Sequence, residues 1–300
     1  MHLESEYRLA HLLHCKANRT IMSQTDHSTS VFPPIAFIGG GNMASAIIGG
    51  LIRQGVPASS ITVVEPFEAT RAAIKTSFGI DALPAATEAL QSAQLVVWAV
   101  KPQSFKEAAA PVAAHTRNAL HLSVAAGITT DSIAAWTGTR RIVRAMPNTP
   151  ALVGKGMTGL FARPEVDAQG KALIETVIGS TGELSWVDQE AHLDAVTAIS
   201  GSGPAYVFLF LEAMTQAGVD MGLSAEQSYK LAVATFAGGS ELAARSSESA
   251  EVLRQRVTSK GGTTYAAITH MQEQKLPEHF IEAMRKAQIR AQELAAEFGK

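Results

Sequence analysis

From Ile35 onward, short apolar runs alternate with segments whose apolar residues recur every three or four positions. The runs are IAFI (35–38), ITVVE (61–65), LVVWAV (95–100), LHLSVA (120–125), RRIVRAM (140–146), MTGLFA (157–162) and GELSWV (182–187). Between the earlier ones, EATRAAIKTSF and FKEAAAPVAAH have helical spacing. Continuous apolar strands separated by helices predict a parallel sheet covered on both faces, a doubly wound α/β domain of the Rossmann type over residues 33–188.

Near Asp188 the alternation stops. Residues 189–300 read as helices only: one from about Gln189 to Ser200, then helices opening at Pro204, Ser224, near Thr263 and at Pro277. Both prolines suit a first helical turn, where a missing N–H costs nothing. Ser224 and Gln227 form a capping box, and Gly218 is expected to close the second helix. Ala232, Ala234, Ala237, Gly238, Gly239, Ala243 and Ala244 give the segment a small-residue surface that admits close helix contact. An all-helical region this apolar predicts a homodimer built through this second, all-α dimerisation domain.

Composition narrows the function. Hydrophobic residues are 46% and charged residues 17% of 300, as in an ordinary globular chain. A formal net charge of −2 without any basic cluster argues against a nucleic-acid partner. The lone cysteine, Cys15, excludes a disulfide framework and fits a reducing, cytoplasmic setting. AYVFLFLEAM (205–214), interrupted by Glu212, is too short to span a bilayer and reads as a buried or interface helix. Residues 1–32 hold four of the nine histidines and no signal-type apolar core; they read as a tail outside the fold, with Met22 an alternative start.

Candidate chemistry begins at IAFIGGGNMASAIIGGL (35–51). Gly39-x-Gly41-x-x-Ala44 follows a strand and opens a helix, and Glu65 ends the next strand. Such a turn lets backbone approach a pyrophosphate resting on the helix N-terminus; a purely structural glycine turn is the alternative. Glu65 can accept from ribose hydroxyls and would repel a 2′-phosphate, favouring NADH over NADPH, while Arg71 stands close enough in sequence to offer a phosphate partner. AVKPQ (99–103) places Lys101 at a strand end near the crevice, or in solvent. SVAAG (123–127) leaves room for a nicotinamide ring, and RAMPNTPA (144–151) offers Asn148 and Thr149. The cofactor-facing set is then Gly39, Gly41, Asn42, Met43, Ala44, Glu65, Val100, Lys101, Pro102, Ala126 and Asn148.

TSKGGTT (258–264) puts two glycines and two threonines at a helix start, a place for a carboxylate or simply a capped helix break. No HExxH, nucleophile elbow or metal-binding cluster occurs, and His192 and His270 sit in helical patterns typical of surface or core residues. Chemistry therefore falls to a cofactor, with the protein orienting a small acid.

GGGNMASAIIGGL, AVKPQ, RAMPNTPA, DAVTAISGSGPAY and TSKGGTT, in this order, resemble the pyrroline-5-carboxylate reductase family from about residue 35 to 295. The resemblance implies hydride transfer from NADPH or NADH to the imine carbon of 1-pyrroline-5-carboxylate, the last step of proline biosynthesis. It implies that Ser259, Gly261, Gly262 and Thr263 hold the substrate carboxylate, that Thr264 is the catalytic residue at the ring nitrogen, and that Glu190 contacts substrate. It also implies interlocked dimers, up to a decamer of five. Ala86 and Ala250 depart from the asparagine and proline usual in the family. A related imine or 2-hydroxyacid reductase, or a non-catalytic NAD(P)-binding protein, is the alternative reading.

Overall fold

Each of the seven apolar runs forms a strand of one sheet in the computed structural model, which describes residues 32–299. The strands are β1 Ile35–Ile38, β2 Ile61–Val64, β3 Leu95–Trp98, β4 Leu120–Ser123, β5 Ile142–Met146, β6 Gly156–Ala162 and β7 Gly182–Trp186. Their order is β2-β1-β3-β4-β5-β6-β7. The expected tail and the Met22 start lie outside the described residues.

The first five strands pair in parallel, and β1 and β3 are buried along their whole length, as a sheet covered on both faces requires. The reversal of strand order between β1 and β3 opens a crevice at the carboxyl ends of the strands.

The all-parallel expectation fails at β6, which runs antiparallel to β5. Residues 147–155 join the two strands with a single 3₁₀ turn, Thr149–Val153, shorter than the roughly dozen residues that a parallel crossover needs. Helix Ala168–Gly179 then supplies a full crossover, and β7 returns parallel to β6.

Inside the sheet, Trp98 stacks on Phe105 with centroids 4.7 Å apart. Its indole N–H donates to Nδ1 of His121 at 3.1 Å, and His121 Nε2 faces the Thr116 carbonyl at 3.2 Å. With Nδ1 accepting, the ring is the neutral Nε2–H tautomer. Burial holds His121 down at about 4, partly opposed by the Thr116 carbonyl.

The helical half begins with His192–Val196, passes through a π-helical turn at Thr197–Gly201, and continues as Gly203–Asp220, Ala225–Arg245, Ala250–Arg256, Thr263–Glu273 and Leu276–Phe298. The Ser224–Gln227 capping box forms as expected. Gly218 does not close its helix, which runs on to Asp220. A Cβ there would sit 2.4 Å from Ser228 Oγ, so this glycine lets helices 203–220 and 225–245 pack closely. The helix 250–256, capped by Ser249, is too short to show a periodic pattern.

The stretch His192–Asp220 is long and apolar enough, by length and composition, to cross a membrane, so AYVFLFLEAM lies in a longer helical run than its own length suggested. Part of its apolar surface is not buried within one chain: Phe208 is 58% and Leu209 62% exposed, while Leu193 and Leu211 are buried.

Candidate active site

The glycine turn has the geometry its motif demands. Gly39 adopts φ +96°, and a Cβ there would lie 2.6 Å from the Ala99 carbonyl oxygen, so no other residue fits. Ala44 is fully buried where the helix Asn42–Arg53 meets the sheet. Gly41, by contrast, has no heavy atom within 4 Å of its Cβ position, and as N-cap it brings no side-chain cap to the helix. Unpaired N–H groups thus face an open space, an arrangement that fits a pyrophosphate.

Glu65 sits at the end of β2 and is only 6% exposed. One carboxylate oxygen accepts the Gly40 N–H at 2.8 Å and the other the Phe67 N–H at 2.9 Å. The side chain therefore staples the glycine turn to the β2 loop, with fewer lone pairs left for a ribose. Arg71 reaches back over the same loop, its Nη1 donating to the carbonyls of Glu65 at 3.0 Å and Pro66 at 2.7 Å.

Val100, Lys101 and Pro102 follow β3 at the carboxyl edge, with Lys101 exposed and Pro102 in the first turn of helix Pro102–Thr116. Ala126 is exposed in the loop after β4. These positions gather along one edge of the sheet, as the motif order required.

Asn148 lies beyond β5 but is engaged elsewhere. Its Nδ2 donates to the Ser200 carbonyl at 3.0 Å, and its Oδ1 accepts the Met157 N–H at 2.9 Å. Both amide atoms are committed to the protein, a role that the sequence did not suggest.

Glu190 occupies the junction between sheet and helices. Its carboxylate accepts from the Thr130 N–H at 2.8 Å and the Thr130 hydroxyl at 2.6 Å, and pairs with the buried Arg144 at 3.0 Å. Burial raises nearby Asp194 from its ordinary value, opposed by Arg144 and reinforced by Glu190. Thr130 and Arg144 were missed by sequence reasoning. An arginine inside the apolar run RRIVRAM was a legible sign that a buried charge needed a partner; which partner was not legible.

At TSKGGTT, Gly261 takes φ +77° and Gly262 is the N-cap of helix 263–273, again without a side-chain cap. Ser259 Oγ lies beside Gly262, 2.8 Å from where a Cβ would stand. Thr263 and Thr264 form the first helical turn. This helix packs chiefly on helix 276–298, so within one chain the loop belongs to the helical half rather than to the crevice.

Two family models match the chain. One, described as pyrroline-5-carboxylate reductase dimerisation, covers residues 190–294, and one, described as NADP oxidoreductase coenzyme F420-dependent, covers residues 34–127. The pyrroline-5-carboxylate reductase of Pseudomonas aeruginosa is 43% identical over 270 residues, covering 89% of this chain and 99% of that protein. The Escherichia coli enzyme of the same name is 38% identical over 264 residues, covering 87% and 98%. Among solved structures, a Coxiella burnetii pyrroline-5-carboxylate reductase superposes with a TM-score of 0.83 at 39% identity, covering 88% and 99%. The Plasmodium falciparum pyrroline carboxylate reductase with NADP bound reaches 0.79 at 25% identity, with the same coverage. Relatives that span both the sheet and the helices at 38–43% identity decide the matter: this chain belongs to the pyrroline-5-carboxylate reductase family.

Proposed function

We propose that this chain reduces 1-pyrroline-5-carboxylate to L-proline with NADH or NADPH, the final step of proline biosynthesis, in the cytoplasm. The observation that carries the reading is near-full-length similarity to enzymes of that name on a chain whose glycine turn leaves Gly41 open. The bound cofactor supplies the hydride. The chain contributes binding and orientation: the turn Gly39–Ala44 takes the pyrophosphate, and Val100, Lys101, Pro102 and Ala126 border the nicotinamide end of the crevice.

The Thr263 N–H, with Ser259 and the bend at Gly261 and Gly262, whose own N–H donates to the Ser259 carbonyl at 3.0 Å, holds the substrate carboxylate. Thr264 is the catalytic residue, directing its hydroxyl to the ring nitrogen, and Glu190 adds its remaining lone pair from the junction. A pyrroline imine protonated near neutral pH is already electrophilic, so positioning supplies much of the rate. Because TSKGGTT belongs to the helical half, a dimer completes each site with its partner's loop. Five such dimers forming a decamer is the larger assembly proposed.

NADH oxidation dependent on added pyrroline-5-carboxylate tests the reading; a purified chain that binds NAD(P)H yet turns over no imine would overturn it. The stapled Glu65 side chain and an Arg71 already bonded to two carbonyls favour NADH. A preference for NADPH of about tenfold, roughly 1.4 kcal/mol in transition-state stabilisation, would reverse that assignment.

A further inference from the structure

The helical half does not leave the sheet as a continuous α-helix. At Thr197–Gly201 the chain makes a π-helical turn, with the Ser202 N–H donating to Thr197 O at 2.8 Å, five residues back instead of four. That shift frees the Ala198 carbonyl, which Ser202 would meet in an α-helix. Tyr206 supplies the missing donor, its hydroxyl reaching Ala198 O at 3.0 Å.

Two residues on, Pro204 has no N–H, so the carbonyl four residues back, Ser200 O, has no α-helical partner. Asn148 provides it from outside the helix, through Nδ2 at 3.0 Å. The orientation of the amide is fixed, because Oδ1 accepts the Met157 N–H while Nδ2 faces a carbonyl. The turn also rests on the end of β5, where a Cβ at Gly201 would lie 2.6 Å from Met146 Cε.

We propose that Asn148 is a positioning residue that substitutes for the absent Pro204 N–H, locking the π-turn, and with it the helices carrying TSKGGTT, to the sheet beside the nicotinamide end of the crevice. It acts through Ser200 rather than on the cofactor. The leverage is large. Helix 203–220 has 18 residues and is roughly 27 Å long at 1.5 Å per residue. A 5° change at its base moves its far end by about 2 Å, and misplacement of about 1 Å is enough to cost a hundredfold in rate. Helix 276–298 returns to pack on the same turn, so both ends of the helical half meet the sheet here.

The proposal rests on the reductase activity and is tested by a double-mutant cycle with Pro204. Asn148→Ala lowers kcat for pyrroline-5-carboxylate reduction by about tenfold and leaves the NAD(P)H KM within about twofold. Pro204→Ala restores an N–H opposite Ser200 O. In that background the same Asn148→Ala change lowers kcat by less than about twofold, the coupling expected of groups sharing one partner.

Equal losses in both backgrounds, or a loss confined to the NAD(P)H KM, would overturn the proposal; the second result would make Asn148 a cofactor ligand. If Asn148→Ala does not fold, Asn148→Asp runs the same cycle, since it keeps an acceptor for Met157 N–H and replaces the donor to Ser200 O with a carboxylate oxygen. A wild-type chain without reductase activity refutes the functional reading instead, a result distinct from an active chain lacking the coupling.

Discussion

The sheet half and the helical half use apolar residues in opposite ways. Ile35, Phe37, Val96 and Trp98 vanish beneath crossover helices of their own chain. Phe208, Leu209 and Leu242 (70% exposed) stand on helix faces that their own chain does not cover, and Met221 (77% exposed) ends one of those helices. One half is complete alone. The other is half of a structure, consistent with the family model for dimerisation that matches it. The difference teaches that the crevice and TSKGGTT follow different rules: the crevice is built by strands buried within one chain, whereas TSKGGTT is carried by helices that leave apolar surface exposed.

The largest effect expected breaks that contrast. Leu209→Lys combined with Leu242→Lys places two charges where apolar surface must be buried, a penalty of several kcal/mol per unpaired charge. The variant should sediment as a monomer and lose about a hundredfold or more in kcat/KM, because the loop no longer reaches a crevice. Its NAD(P)H affinity, measured by fluorescence titration, should stay within about threefold of wild type. A fully active monomer would show that one chain makes its own site.

Next in size is Thr264→Val, which removes a hydroxyl at nearly constant volume. Losing a hydrogen bond to a charged partner, about 1.5–3 kcal/mol, should lower kcat/KM by about ten- to a hundredfold with cofactor binding unchanged. Ser259→Ala should act mainly on substrate KM, since carboxylate binding is common to ground and transition states. Full activity in Thr264→Val would reduce that residue to part of a helix start.

The third outcome concerns the sheet half alone. His121 titrates near 4 when folded and near 6.5 when unfolded, so between these values the unfolded chain binds more protons. Its contribution to stability is complete above about pH 6.5 and declines as pH falls toward 4, with about 2 kcal/mol lost by pH 5. Urea unfolding of wild type and His121→Gln at pH 7 and pH 5 checks this. The variant should show a pH dependence smaller by about that amount, and identical dependences would mean that the ring is already charged in the fold.

Strands, glycine turn and helix caps were legible in the sequence because each is set by local sterics and short-range periodicity. Three consecutive glycines after IAFI permit the turn; apolar runs with no polar partners demand a doubly covered sheet; Ser224 and Gln227 cap their helix within four residues. The motifs even carried the family. What the sequence left undecided depends on which distant segments become neighbours. Gly218 looks like a helix stop until Ser228 is packed against it. Asn148 bonds Ser200 and Met157 through the two ends of its amide, partners that lie far from it or across a turn and that no local pattern announces. Glu190 gains Thr130 and Arg144 only when β5 and the helix after β4 are assembled. Local conformational preferences are written residue by residue, whereas the partners of buried polar groups are chosen by tertiary packing, because only a folded core removes the water that would otherwise satisfy them.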